Sequence, residues 1–151
     1  MEVIALGSDH AAFQLKENIK EYLAGLGYQV RDFGTTGPDS VDYPDYGIAV
    51  GEAVSHGECD RGIVLCGTGI GISISANKVK GIRAAACSEP FSARLSREHN
   101  NSNVLALGSR IVAPEYARCI VKTWLDALFL GGRHALRIQK IAQYESGDPG
   151  K

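Results

Sequence analysis

Apolar side chains along this chain come in short bursts separated by glycine and polar turns. Val3 to Leu6 is such a burst, closed by Gly7-Ser8-Asp9-His10, and it reads as a buried strand. Phe13, Leu15, Ile19, Tyr22, Leu23 and Leu26 then recur near helical spacing, with Gly25 and Gly27 ending the helix. Gln29 to Phe33 predicts a second strand, and Gly34 to Pro44 a polar loop. Tyr46 to Ser55 predicts a helix, although Gly47 and Gly51 weaken it. Ile63 to Leu65 predicts a third strand, followed by a glycine turn and a helix.

Ile82 to Cys87 predicts a fourth strand, and Ser88-Glu89-Pro90 opens a helix to about Glu98, with Ser88 as its N-cap. His99 to Asn103 reads as a loop and Val104 to Leu107 as a fifth strand. Pro114 begins a long helix through Trp124 towards Leu130; Gly131-Gly132 breaks it, and a last helix starts at Arg133 and runs to about Tyr144–Ser146. The tail from Gly147 reads as frayed. Alternation at this spacing predicts a five-stranded parallel sheet with helices on both faces. Ligands of such sheets lie beyond the carboxyl ends of the strands. Asp9, His10, Cys66 with its glycines, Ser88, Ser109 and Arg110 all fall at such ends.

The third strand carries the most chemistry. Cys66 closes it, and Gly67, Gly69 and Gly71 follow before the helix. Backbone N–H groups at such a junction point outward with partial positive charge, which suits an anion. A thiol at its lip has its thiolate favoured. The spacing is GxGxG, follows the third strand and lacks the Lys-Ser/Thr ending of a P-loop, which disfavours a dinucleotide or nucleoside triphosphate. A smaller oxyanion fits.

Each candidate also has a plainer reading. Asp9-His10 reads equally as a helix cap or a site pair. Free cysteines usually pack in cores, and Cys59, Cys87 and Cys119 are read so, or as surface; the place of Cys66 favours function. His99 is either a charge at a helix end or, with Asn100, a polar site element. Arg133 and Arg137 share a face near a helix N-terminus, where cations oppose the dipole. An exposed charged face and a grip on phosphate both fit them. His56 reads as surface.

Composition narrows the classes further. A chain of 151 residues, 44% hydrophobic and 22% charged, predicts one soluble globular domain over residues 1–151. No apolar run is long enough for a bilayer and the start lacks a signal peptide's pattern, so a cytoplasmic protein without membrane contact is expected. The four cysteines show neither CxxC nor zinc-finger spacing, so no disulfide framework or metal site is indicated. The net charge of −1 hides an asymmetry: residues 1–60 balance at −8 and residues 61–151 at +7. The C-terminal arginines thus serve an anionic ligand or a partner's acidic face, or each half simply solvates its own surface. With no basic run and no recognised motif, nucleic acid is not expected.

Taken together, Gly7-Ser8-Asp9-His10-Ala11, Asp42-Tyr43-Pro44, Cys66 to Ser73, Ala76-Asn77-Lys78, Gly81 to Ala84, Arg97-Glu98-His99-Asn100, Asn103 to Arg110 and Gly131-Gly132-Arg133-His134 resemble the type B ribose-5-phosphate isomerases. That family includes allose 6-phosphate and galactose 6-phosphate isomerases. The resemblance implies a Rossmann-like α/β sandwich, a homodimer or dimer of dimers with shared sites, and no metal or nucleotide cofactor. It implies Cys66 as the base moving a proton between C2 and C1, with the backbone of Gly67, Thr68, Gly69, Ile70 and Gly71 stabilising the enediolate. Thr68 would assist proton movement between oxygens, Asp9 would bind sugar hydroxyls, and His99, with Asn100 nearby, would help open the ring. His10, Arg110, Arg133 and Arg137 would hold the phosphate; Tyr43 and His134 line the site. The last helix is expected to pack on a partner subunit. One branch uses a glutamate in place of the cysteine, but Ile72-Ser73-Ile74 offers no carboxylate, which places this chain in the cysteine branch. Ribose 5-phosphate isomerisation is therefore expected; a six-carbon sugar phosphate or non-catalytic sugar-phosphate binding are the alternatives.

Overall fold

The computed structural model describes residues 1–147; of the tail expected to fray from Gly147 on, Gly147 donates its N–H to Tyr144 O (3.1 Å) and the rest lies outside the described residues. Five strands form one parallel sheet in the order β2-β1-β3-β5-β4: β1 is Val3–Ser8, β2 Gln29–Asp32, β3 Arg61–Cys66, β4 Ala84–Ala86 and β5 Val104–Gly108. Six α-helices accompany them: α1 Phe13–Gly25, α2 Tyr43–Ser55, α3 Ile70–Ala76, α4 Pro90–Asn100, α5 Pro114–Asp126 and α6 Arg133–Glu145. This is the Rossmann-like α/β arrangement expected.

Strand alternation sorts the core into two layers. Ile4, Leu6, Ile63, Leu65, Leu105 and Leu107 face α1, α4 and α5, where Trp124 is fully buried. Ala5, Val64, Cys66, Val104 and Ala106 face α2 and α3. Gly47, a residue that counts against a helix in the sequence, sits where α2 crosses α3: a Cβ there would lie 2.1 Å from Ser75 Oγ. Close helix approach overrides its low propensity.

Several boundaries differ from expectation. Helix α2 starts at Tyr43, because Pro44 in its first turn has no N–H to lose there. Glu89, not Ser88, caps α4, its carboxylate accepting from the N–H groups of Phe91 (2.6 Å) and Ser92 (2.8 Å). That helix continues through His99 and Asn100, which are not loop residues; Asn101 ends it in the left-handed conformation, φ 44°, that asparagine tolerates. Helix α5 stops at Asp126, short of Leu130, since Leu130 donates its N–H to Glu98 O (3.1 Å) and holds the following segment extended along α4. Strand β4 keeps only three residues, paired on one side with β5.

Candidate active site

The strand order reverses between β1 and β3, and the crevice outside their carboxyl ends is where a parallel sheet offers a ligand site. Three chain segments meet there. Asp9 and His10 follow β1, Cys66 to Gly71 follow β3, and Ser109 and Arg110 follow β5. They are stitched together: Asp9 N donates to Leu65 O (3.2 Å), Ser109 N to Cys66 O (2.9 Å) and Arg110 N to Gly67 O (3.0 Å). Ser109 Oγ donates to Ala11 O at 2.9 Å, closing the ring of segments.

Gly69 adopts φ 79°, a left-handed conformation costly for any other residue, and so aims its N–H at Cys66 Sγ, 3.1 Å away. Sulfur therefore accepts from the backbone at the head of α3, the interaction a thiolate takes up. Ile70 N donates to Thr68 Oγ1 (3.2 Å), and the exposed Thr68 side chain borders a pocket shared with Cys87, Ser88, Gly108 and Ile111. Two N–H groups of the expected cradle are thus engaged within the turn. The first-turn amides that follow, including Gly71, have no intrahelical partner and remain for a ligand.

The surroundings are equally specific. Asp9 serves as both cap and candidate: it is 7% exposed, its Oδ1 accepts from Ala12 N (3.3 Å), and its Oδ2 accepts from no described residue. His10 Nδ1 accepts from Val41 N (3.1 Å), which fixes the neutral tautomer with its proton on Nε2. The Tyr43 ring covers Gly71, where a Cβ would lie 2.7 Å from Tyr43 Cζ. The Arg110 guanidinium lies over Gly67, 3.1 Å from a Cβ there. Val41 and Ser109 contribute positioning that residue type alone did not disclose; the position of Ser109 at a strand end was its one signal.

The remaining candidates lie elsewhere. Helix α4 leaves the carboxyl edge after β4 and, over 11 residues or about 16 Å, returns to the amino edge before β5. His99 and Asn100 sit at its far end, where Asn100 O accepts from Arg83 Nε (3.0 Å) just ahead of β4. The His99 and His134 rings stack at 4.3 Å with 10° between planes, so Arg133, His134 and Arg137 on α6 join this second group. Partial burial, then His99, Arg133 and Arg137, push the His134 imidazole below its ordinary value. Within one chain, Asp9, His10, Tyr43, Cys66, Thr68 and Arg110 form one group, while His99, Asn100, Arg133, His134 and Arg137 form another at the opposite edge.

Comparison with known proteins gives consistent results. Residues 4–141 match the family model described as Ribose/Galactose Isomerase. A protein of Escherichia coli (strain K12) named ribose-5-phosphate isomerase B is 52% identical over 145 residues, 96% of this chain and 97% of its own length. A Pectobacterium atrosepticum protein named D-erythrulose-4-phosphate isomerase is 47% identical over 144 residues, 94% of each chain. The solved structure of Clostridium thermocellum ribose-5-phosphate isomerase B superposes with a TM-score of 0.95 at 59% identity, covering 96% of this chain and 98% of that one.

Proposed function

Since the chain belongs to the ribose/galactose isomerase family, in the type B ribose-5-phosphate isomerase branch, we propose that it interconverts D-ribose 5-phosphate and D-ribulose 5-phosphate with Cys66 as the base. The observation that carries this reading is the Cys66 sulfur, held by the Gly69 N–H at the switch point of the sheet. The thiolate takes the C2 proton of the open-chain aldose, and the electron pair moves onto the carbonyl as an enediolate. The free amides of the glycine turn stabilise that oxyanion. The thiol then returns the proton to C1, while Thr68 Oγ1 carries the hydroxyl proton from one oxygen to the other. Asp9 Oδ2 accepts from sugar hydroxyls, and Tyr43 walls the crevice. No metal or nucleotide takes part.

The phosphate end and the ring opening need the second group. His10 Nε2 and Arg110 hold the phosphate from the Cys66 side; Arg133 and Arg137 hold it from a second copy, whose His99 and Asn100 open the furanose. Support comes from the two edges of the sheet, which no single chain brings together. Helix α6 supports it too: it buries none of its residues, and Leu136, Ile141 and Tyr144 are 65%, 58% and 81% exposed. A homodimer, or a dimer of dimers, covers that face. The four cysteines are unpaired, which suits the reducing cytoplasm.

The test is isomerisation by purified, metal-chelated protein offered four-, five- and six-carbon sugar phosphates side by side. Strong preference for ribose 5-phosphate, abolished in Cys66→Ala with ligand binding retained, supports the proposal. Preference for another chain length keeps the mechanism and replaces the substrate. Binding without conversion of any of them sinks the reading.

A further inference from the structure

A cavity of about 400 Å³ opens at the amino edge of the sheet, away from Cys66, lined by Arg61, Arg83, Arg97, Asn101, Asn103 and Leu128 among others. Two carboxylates, Glu2 and Asp60, line it as well, and each already has a partner. Arg61 is neutralised by Glu2, which takes its Nε and Nη2 (2.8 Å for the latter), and Asp60 spends Oδ2 on Val3 N (2.7 Å). Among the described residues, Arg83 and Arg97 form no ion pair. Arg83 donates to the carbonyls of Asn100 (3.0 Å) and Asn101 (2.9 Å), and Arg97 to Asn101 Oδ1 (2.9 Å) and Ser102 O. Arg97 Nε is buried with no partner at all. Burial pushes both guanidinium groups below their ordinary value; Arg61 and Arg83 add to this at Arg97, while Glu145 opposes it at Arg83 and Glu2 at Arg97, both from beyond ion-pair distance. Partly buried positive charge with no carboxylate in direct contact is costly, and a bound anion lowers that cost.

We propose that this cavity binds a phosphate group, free or as a small phosphomonoester, through Arg83 and Arg97 with the side-chain amide of Asn101. Two guanidinium groups with no carboxylate in contact match a phosphate whose oxygens point in several directions better than a single carboxylate. The site is separate from the phosphate grip proposed for the substrate. An anion here draws on the guanidinium that holds the Asn100 carbonyl, so its occupancy reaches the end of α4 that carries His99.

A reporter lies directly behind two of the lining arginines. Trp124 is the chain's single tryptophan; its ring lies under Arg61 (5.1 Å) and Arg97 (5.9 Å), and its Nε1 donates to Ser102 Oγ (2.8 Å). Titration of the full-length protein with inorganic phosphate, and separately with glycerol 3-phosphate, at constant ionic strength set with chloride, is read in Trp124 emission. A saturable change is expected in wild type and in Arg110→Ala, with the midpoint at least tenfold higher in Arg83→Gln. Asn101→Asp supplies Arg97 with an internal carboxylate; it is expected to abolish the response and to raise Tm in phosphate-free buffer. A lower midpoint for glycerol 3-phosphate assigns the site to a phosphomonoester, and the reverse order to free phosphate. No saturable response in wild type overturns the proposal, as does an unchanged midpoint in folded Arg83→Gln or an undiminished response in Asn101→Asp. None of these outcomes depends on isomerase activity.

Discussion

Lys16 keeps its ammonium at 1% side-chain exposure by meeting Asp32 Oδ2 at 2.6 Å and Glu17 Oε1 at 3.0 Å. Lys20 shares the Asp32 oxygen at 2.8 Å, and Asp32 Oδ1 accepts from Gly34 N at 2.9 Å. One carboxylate thus ties α1 to the end of β2 beside the candidate site. Burial opposes its charge, yet the hydrogen bonds from Lys16 and Lys20 hold the Asp32 carboxyl below its ordinary value. A carboxyl lowered in the folded state contributes stability above its unfolded pKa, about 3.9, and loses it as pH falls from there through the folded value. Asp32→Asn is expected to lower stability near neutrality by about 1–3 kcal/mol. Its urea midpoint should also fall less steeply than wild type below about pH 4. Unfolding curves from pH 7 to 2 check both. Gly108 makes a second residue-level case: a Cβ there would sit 2.6 Å from the carbonyl carbon of Thr68. Gly108→Ala is expected to cost about 1–3 kcal/mol by overpacking, and to displace the turn that presents Cys66. Tm and turnover should fall together, whereas Cys66→Ala should leave Tm nearly unchanged and cut turnover by about 10²–10⁴.

At the level of elements, the half of the site around Cys66 was legible because it is local. Asp9, Cys66 and Arg110 each end a strand, and parallel strands bring their ends to one edge whatever the helices do. The other half was not, since its place depends on how far α4 runs. His99 to Asn103 reads as a loop, but His99 and Asn100 are helical and the chain leaves the helix only at Asn101, as a left-handed cap. Two further helical residues put His99 and Asn100 on α4 itself, whose far end lies at the amino edge. The end of α5 was misjudged for a related reason: Leu125 to Leu130 is apolar enough to continue a helix, while Arg61 Nη1 on Leu125 O (3.1 Å) and Glu98 O on Leu130 N hold it otherwise, through partners distant in sequence. Helix α6 was legible as a helix and its open face follows from its pattern. Leu136→Asp with Ile141→Asp is expected to leave circular dichroism almost unchanged, because neither side chain is buried within the chain, and to lower Tm only by the stability that association adds. The pair should shift sedimentation to monomer and abolish isomerisation. A stable, active dimer carrying both aspartates would count against α6 as the contact.

Across the whole molecule, the proposed sharing of sites makes a quantitative demand. Cys66→Ala spoils one half-site and Arg137→Ala the other. When the two inactive variants are dissociated, mixed equally and reassociated, half of the dimers are mixed and each holds one intact site, so about a quarter of wild-type activity should return. Sites built within one chain would recover none. The sheet itself offers little for association, with Ala84–Ala86 at one edge and Gln-Val-Arg-Asp at the other, both too short or too polar to recruit a further strand. Contact is left to helices, and α6 waits on the outside for it. On the proposed sharing of sites, a newly made chain is a finished fold and half a catalyst. Its output follows the number of encounters rather than the number of chains, so halving the supply of this protein near its dissociation threshold takes away more than half of the flux it carries.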